Sequence, residues 1–420
     1  MDFSELYLTY YSKLVRFAKE FVILEEDAEN ITQDVFTDLW AKRDSMDRIE
    51  NMNAYLFRLI KNRCLDHLKH KMFEQKDGGN AFDRFAKLGA SANAFTSFDM
   101  TAYLFSAAEN YEESLRHLLS YVAEPYFTDE NVQKEQGIIG QEIKMYDDNH
   151  GWCVFFNMLR GLYKEHPINI DIAGTCDEIA KITKETLYTC YGSYYHPANM
   201  ILCVTGNADA ETVIKAVDDI LPVTEFKKAE TIIPKEPDEV AKEYVERKMS
   251  VATPMFCIGF KEKPEAPKLK CDAVYSVLCE MIFGKMSRLY GKLYDEGLIF
   301  GMSAAYNYGK EYAFVEIDGE SKEPKKVYEA VKAEINRVKA EGLDENEIEI
   351  VKKGLCGRFI KGLNNIEKSG SSDDGTAFYG ENYFDYGDVL MSVTKEELEK
   401  TLKDGFSGST LSVVSPSGEE

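Results

Sequence analysis

The sequence has no proline before Pro125, no two cysteines in C-x-x-C spacing and no apolar run approaching the roughly 18 residues of a membrane span. The first absence lets the opening stretch run as helix, because proline removes an amide donor and breaks the helical ladder. The second argues against a disulfide framework. The nine cysteines are scattered, and Cys64, Cys203, Cys257 and Cys279 sit in apolar runs, as reduced core thiols of a cytosolic protein do. The third argues against a membrane-embedded chain. Positive charge is also scarce: 50 Lys and Arg stand against 73 Asp and Glu, a net charge of -23. A polyanion is attracted only where Lys and Arg are in local excess, so any nucleic-acid contact must be local. The opening residues "MDFSELYLTYYSKLV" carry acids early and no long apolar core, so no signal peptide is expected and the reading is cytoplasmic.

What is present falls into three textures. From Met1 to about Lys71, apolar residues recur at helical spacing: Leu14, Phe17 and Phe21, then Ile31, Val35, Phe36 and Leu39, then Tyr55, Leu56, Leu59 and Ile60. The acids of "EEDAEN" lead into a helix as helix starts prefer. Beyond Phe73, short apolar runs such as "TAYLFSAA" and "NMILCVTGNA" alternate with helical stretches such as "NYEESLRHLLSYVAE", which predicts layered strands and helices. A charged stretch from Lys227 to Lys248 holds two prolines and reads as an interdomain linker. After it the strand-helix texture resumes with "SVATPMFCIGF", "KCDAVYSVLCEMIFG", "IFGMSAAYNYG" and "EYAFVEIDGES". The similar order of elements suggests a duplicated domain, although no clean residue-level repeat is visible. The expected class is α+β: an all-helical head at 1–71, a first α/β unit at 72–226, a linker at 227–250 and a second α/β unit at 251–420.

In the head, "DAENITQDVFTDLWAKRD" followed by "NAYLFRLIKNRCLDHLKHK" resembles region two of the sigma-70 family, in particular the extracytoplasmic-function sigma factors. The resemblance rests on the spacing of Ala28, Glu29, Gln33, Asp34, Phe36, Leu39 and Trp40. It implies that the first helix docks on the β′ subunit of core RNA polymerase through Gln33, Asp34, Phe36, Leu39 and Trp40. It also implies that the second faces promoter DNA through Arg58, Lys61, Arg63 and Lys69. Charge alone leaves this open: Lys42 to Lys71 holds eight Lys or Arg against four acids, which suits either a phosphate-contacting face or a solvated basic helix. No second helical domain that would read a minus-thirty-five element follows.

In the body, "GASANAFTSFDMTAYLFSA", "YFTDENVQKEQGIIGQEIKMYDDN" and "HPINIDIAGTCDEIAKITKETLYTCYGSYYHPANMILCVTGNAD" resemble the insulinase/pitrilysin family of zinc peptidases, from about Lys71 to the C-terminus. That resemblance implies two insulinase-type α/β domains and an inverted zinc motif, H-x-x-E-H, whose Glu deprotonates a zinc-bound water. It makes Glu142 of "EQGIIGQE" the third zinc ligand and Glu135, two helical turns before it, its supporter. On spacing alone an exposed acid pair on a solvated helix is the commoner outcome. Relatives carry the motif just before "KMFE", where this chain has Asp66, His67, Leu68, Lys69 and His70. Only His70 matches. Lys69 stands at the general-base position, where a protonated amine takes no proton from water and repels a dication, so no catalytic residue is assigned. Asp66, His70 and Glu142 make a poor three-ligand set, and His67 with His70 could share a metal at a rotated angle. Zinc is therefore expected to be weak or absent. His117, His150, His166 and His196 are assigned no metal.

Asn93, Ala94 and Phe95 of "GASANAFTS" fall on the family's edge strand, where backbone groups pair with an extended peptide; an ordinary sheet strand is the alternative. Leu293 or Tyr294, and Phe300, stand where active relatives use an Arg and a Tyr to hold the substrate carbonyl. The resemblance then implies a sub-branch that works as paired subunits, in which those groups come from a second peptidase-like subunit or are dispensable. The strands expected upstream of the zinc helix are replaced by the head, so the first domain is read as N-terminally truncated, with an exposed sheet edge. Four readings follow: an impaired peptidase-family member that at most binds peptide; a polymerase-associated sigma-like factor with a passenger body; an active zinc endopeptidase with a non-standard site; and a joint at "HKM" from recombination or sequence assembly that unites two unrelated segments.

Overall fold

A computed structural model describes residues 3–19, 25–41, 52, 55–57, 59–60, 81–221, 225, 229–365 and 376–417. Asp66, His67, Lys69 and His70, and the candidate DNA-contacting Arg58, Lys61 and Arg63, lie outside the described residues. The architecture is α+β. No described helix is long and apolar enough to cross a membrane.

The head is helical, with α1 (Phe3–Ala18) and α2 (Glu25–Ala41). Leu6 and Leu14 of α1 and Ile31, Val35, Phe36 and Leu39 of α2 converge with Leu56 and Ile60 in one buried cluster, as their helical spacing requires. The body continues through α3 (Ala81–Lys87), β1 (Ala90–Thr96), β2 (Thr101–Ala107), α4 (Tyr111–Ala123), α5 (Asp129–Asp147), α6 (His150–Leu162), α7 (Cys176–Ile179), α8 (Lys184–Tyr194) and α9 (Ala210–Ile220). Then come β3 (Tyr244–Met249), β4 (Met255–Glu262), α10 (Lys268–Phe283), α11 (Arg288–Asp295), β5 (Gly301–Gly309), β6 (Tyr312–Glu320), α12 (Pro324–Glu341), α13 (Glu345–Gly362), α14 (Tyr386–Met391), α15 (Lys395–Asp404) and β7 (Gly408–Pro416).

The second sheet has the order β3-β7-β4-β6-β5, with β4 antiparallel to both β6 and β7, and β3 parallel to β7. Strand alternation sends Phe256, Ile258 and Phe260 to one face, where Val315, Ile317, Leu411 and Val413 join them under α10, α12 and α15. Cys257, Phe314 and Val414 point to the other face, against Phe156, Met158, Leu159 and Leu162 of α6. That helix belongs by sequence to the first unit, yet it covers the second sheet. Gly259 permits the approach: a Cβ there would collide with Met158.

The charged stretch read as linker is only partly so. Its last residues form β3, an edge strand held by its backbone ladder to β7 while Glu246, Arg247 and Lys248 decorate the rim. Upstream, the carboxylate of Glu236 accepts the backbone N–H groups of Lys164, Glu165 and His166 at 3.0, 2.8 and 2.8 Å. It also takes the Lys261 ammonium at 2.6 Å.

The first unit was expected to be N-terminally truncated, with a sheet short of several strands. Among the described residues that sheet consists of β1 and β2 alone. The run at 200–205, expected as a strand, carries no regular structure, and Met200, Ile201, Leu202 and Val204 are exposed at 36–43%.

Burial pushes the Glu236 carboxyl up, but Lys261 and the three amides outweigh it and hold the group below its ordinary value. Its contribution is present above the unfolded pKa and fades as pH falls through the folded one. Glu236→Gln strands a buried ammonium, and chemical denaturation at neutral pH should show a loss of about 3–5 kcal/mol. The opposite sign holds at Glu262. Burial raises its carboxyl from 4.5 to about 7, against the pull of the Phe406 N–H and the Tyr275 hydroxyl. Stability tied to Glu262 is thus complete below 4.5 and is lost as pH rises through about 7. Denaturation midpoints of Glu262→Gln should therefore decline less than wild type across that window.

Candidate functional site

Helix α5 carries the candidate carboxylates, and its pose is set at several points. Thr128 Oγ accepts the Asn131 N–H at 3.1 Å while Asn131 Oδ1 accepts the Thr128 N–H at 2.8 Å, a closed capping box. One turn in, Gln136 Nε2 donates to the carbonyls of Ile179 and Ile182 at 3.1 and 2.8 Å. Ile138 points the other way and is buried in the core of the head.

Glu142 is half-buried, and the Tyr146 hydroxyl, one turn on, donates to its Oε1 at 3.0 Å. Burial, then the Glu142 charge, pushes the Tyr146 phenol up to about 12, so it remains a donor at neutral pH. Tyr146 stacks on Trp152 at 4.4 Å, whose indole N–H donates to Asp171 at 2.7 Å. This relay holds Glu142 in a fixed attitude. Glu135 lines a cavity of about 650 Å³ together with Tyr103, Tyr121, Tyr191 and Tyr195. The Tyr103 and Tyr195 hydroxyls meet at 2.8 Å across it. Burial first, and the charges of Tyr195 and Glu135 after it, raise the Tyr121 phenol.

Among the described residues no group of three His, Cys, Asp or Glu is placed to hold a metal. Glu142 with Glu135 behind it does not by itself fit zinc, which needs three protein ligands. The remaining candidates, Asp66, His67 and His70, lie outside the described residues. His166 and His196 cap short 3-10 turns, each Nδ1 accepting an N–H two residues on at 3.1 Å, and buried His117 sits 3.0 Å from the Ala81 carbonyl.

The hairpin pairs Asn93 with Leu104, Ala94 with Tyr103 and Phe95 with Ala102. The Ala94 N–H donates to Asn93 Oδ1 at 2.9 Å. Backbone groups alternate between the two edges of a strand, so Ala92 and Thr96 share the edge of Ala94, while Asn93 and Phe95 direct theirs to the opposite one. Only Ala94 of the three assigned residues then offers its backbone outward, and a bound peptide must displace the Asn93 side chain. In the second unit Leu293 is buried, whereas Tyr294 and Phe300 are exposed.

The head needs a correction. Gln33, Asp34 and Trp40 lie on the solvent face of α2, but Phe36 and Leu39 are 3% exposed and belong to its core. They share the helical stripe of Ile31 and Val35, and that stripe is consumed by packing. Sequence reasoning also missed Tyr146, Trp152 and Asp171. Tyr146 was detectable at i+4 from Glu142, whereas Asp171 joins through the tertiary fold alone.

Family models match along the chain: sigma-70 region 2 over residues 6–73, insulinase (peptidase family M16) over 63–176 and the peptidase M16 inactive domain over 181–355. The uncharacterized zinc protease YmfH of Bacillus subtilis (strain 168) is 35% identical, with 98% of this chain and 97% of that protein covered. Among solved structures, a putative M16-like peptidase from Alicyclobacillus acidocaldarius is 32% identical at a TM-score of 0.78, covering 84% of this chain and 86% of that one. A peptidase M16 inactive domain from Pseudomonas fluorescens, 16% identical at a TM-score of 0.68, shares the fold over 84% of this chain and 88% of its own.

Proposed function

The chain belongs to the insulinase family of peptidases, M16, with a sigma-70 region 2 segment at its head, and from that premise we propose that it is a catalytically impaired member that binds extended peptide without cutting it. The observation that carries this reading is the content of the motif positions. Asp66 and Lys69 replace a ligand and the general base, and Glu142 is engaged with Tyr146. Without a base, a water at this site has no group to take its proton. Peptide binding draws support from β1, whose outer edge has no strand partner among the described residues. Atomic absorption on the purified chain should find well under one zinc per molecule, and a quenched peptide should remain uncut. Stoichiometric zinc with hydrolysis that disappears in Glu142→Gln would overturn the reading in favour of an active endopeptidase with a non-standard site.

A second reading is favoured by the face of α2. Gln33, Thr37 and Trp40 recur at i, i+4 and i+7 on its solvent side, with Trp40 53% exposed. An exposed indole flanked by polar groups suits a protein partner, and the sigma-type segment makes that partner core RNA polymerase. The full chain should retain core polymerase at low salt, and Trp40→Ala should release it. Absence of retention by the unaltered chain would remove this reading.

A further inference from the structure

Positive charge collects without compensation on one short helix of this acidic chain. From Met281 to Tyr294 the sequence holds three cations, Lys285, Arg288 and Lys292, and no acid. All three are exposed, and among the described residues none of their side chains takes part in an ion pair or a hydrogen bond. On α12, by contrast, Lys326, Lys332 and Arg337 each hold an acid three residues before them, Glu323, Glu329 and Glu334. The cations of α11 and of the turn before it are therefore available to a partner.

Helical periodicity sorts the outer side chains of α11 into two rows. Leu289 and Leu293 are buried and set the inner face. Arg288 and Lys292 then run along one flank, Tyr290 and Tyr294 along the other, and Gly291 lies between them on the line farthest from the core. A Cβ on Gly291 would meet nothing within 4 Å, so the trough between the rows is floored by bare backbone. The two phenol rings are nearly parallel, at 13°, with centroids 6.2 Å apart. In the turn before the helix, Lys285 and the 95% exposed Met286 offer the same two chemistries, charge and apolar surface.

We propose that α11 is a docking site for an extended segment of a partner protein in which acidic and apolar residues alternate. The segment lies along Gly291, with its acids over Arg288 and Lys292 and its apolar side chains against Tyr290 and Tyr294. Spacing selects the extended form. Like residues of α11 are four apart, about 6 Å along the axis, and an extended chain returns to the same side every second residue, after about 6.4–6.8 Å. A helical partner would need side-chain ridges to interlock with on the line of contact, where this helix has only glycine. Charge selects a protein over nucleic acid: three cations on a chain of net charge -23 make a weak phosphate track, whereas exposed Tyr and Met beside Arg suit a protein interface. The site is built from the second unit alone, so the inference does not rest on peptide binding at β1.

The probe is a short dye-labelled peptide of alternating Glu and Leu, followed by fluorescence anisotropy on addition of the full chain. Saturable binding that weakens with added salt is expected. Arg288→Glu combined with Lys292→Glu should weaken it by about tenfold or more, because two attractions become repulsions at exposed positions. Gly291→Gln is the sharper variant: it fills the trough but removes a glycine from a helix, so binding should fall by a similar factor while the melting temperature holds or rises. The proposal is overturned if either variant binds as the unaltered chain does, if a peptide with the same residues in block order binds equally well, or if no saturable binding is found. Tighter binding of an oligothymidylate, lost in the doubly reversed variant, would overturn it in favour of single-stranded nucleic acid. A peptide held on β1 instead is indifferent to both variants, which overturns this inference and leaves the peptide-binding reading standing.

Discussion

The carboxylate of Glu236 is the joint on which the arrangement of the body depends. It gathers the backbone amides that follow α6, the ammonium of Lys261 on β4 and, through Lys261, the carbonyls of Pro237 and Glu239 at 2.8 and 3.3 Å. Three segments distant in sequence are thereby fixed around one charge. Tyr163 closes the same corner, its hydroxyl donating to the Ala313 carbonyl at 2.8 Å and its ring receiving Lys261 at 5.0 Å. Burying an ion pair gives little net stability by itself, but it is strongly selective for the geometry that satisfies every partner. Here that geometry lays α6 across the second sheet, where Phe156, Met158, Leu159 and Leu162 are buried at roughly 1.5–3 kcal/mol each.

How much of this was legible follows from where each signal resides. The helices of the head, β2 and the strands β4 to β6 are written in local apolar pattern and were readable, whereas β1 was reached through the family resemblance alone. Residues 200–205 have the composition of a strand, yet they carry no regular structure. Tyr244 to Met249 failed in the opposite direction: charged side chains suggested linker, while the backbone ladder to β7 makes strand. The placement of α6 depends on Glu236, Gly259 and Lys261 meeting in space, which no window of sequence reveals.

The candidate site divides in the same way. Glu135 and Glu142 were found because a motif named them, and the capping box that opens their helix is local. Phe36 and Leu39 show how a motif can mislead when its spacing coincides with a helix's own apolar stripe. Family resemblance marked them as contacts for a partner, whereas the period of α2 assigns them to the core beside Ile31 and Val35. Where a motif residue and a core position coincide, packing has the first claim, because a buried side chain is unavailable to a partner unless the helix opens.

The head and the body are therefore not independent passengers. Among the described residues the first sheet is a two-stranded hairpin, marginal on its own, and the buried cluster beneath it is formed by Leu115, Leu119 and Ala216, with Phe105, Val213, Val217, Ile220 and Leu221 packed against them. What supports the first unit lies to either side: α5 is fixed at its start by Thr128 and Asn131, braced by Gln136, and inserted through Ile138 into the head's own core. The head completes its apolar interior with a residue of the peptidase body, and the body gains a packed neighbour for the helix that carries Glu142. Any partner that pulled the head away would expose Ile138 and release the helix holding Glu135 and Glu142. Occupancy of the α2 surface and the geometry of the carboxylates are thus linked through one buried side chain.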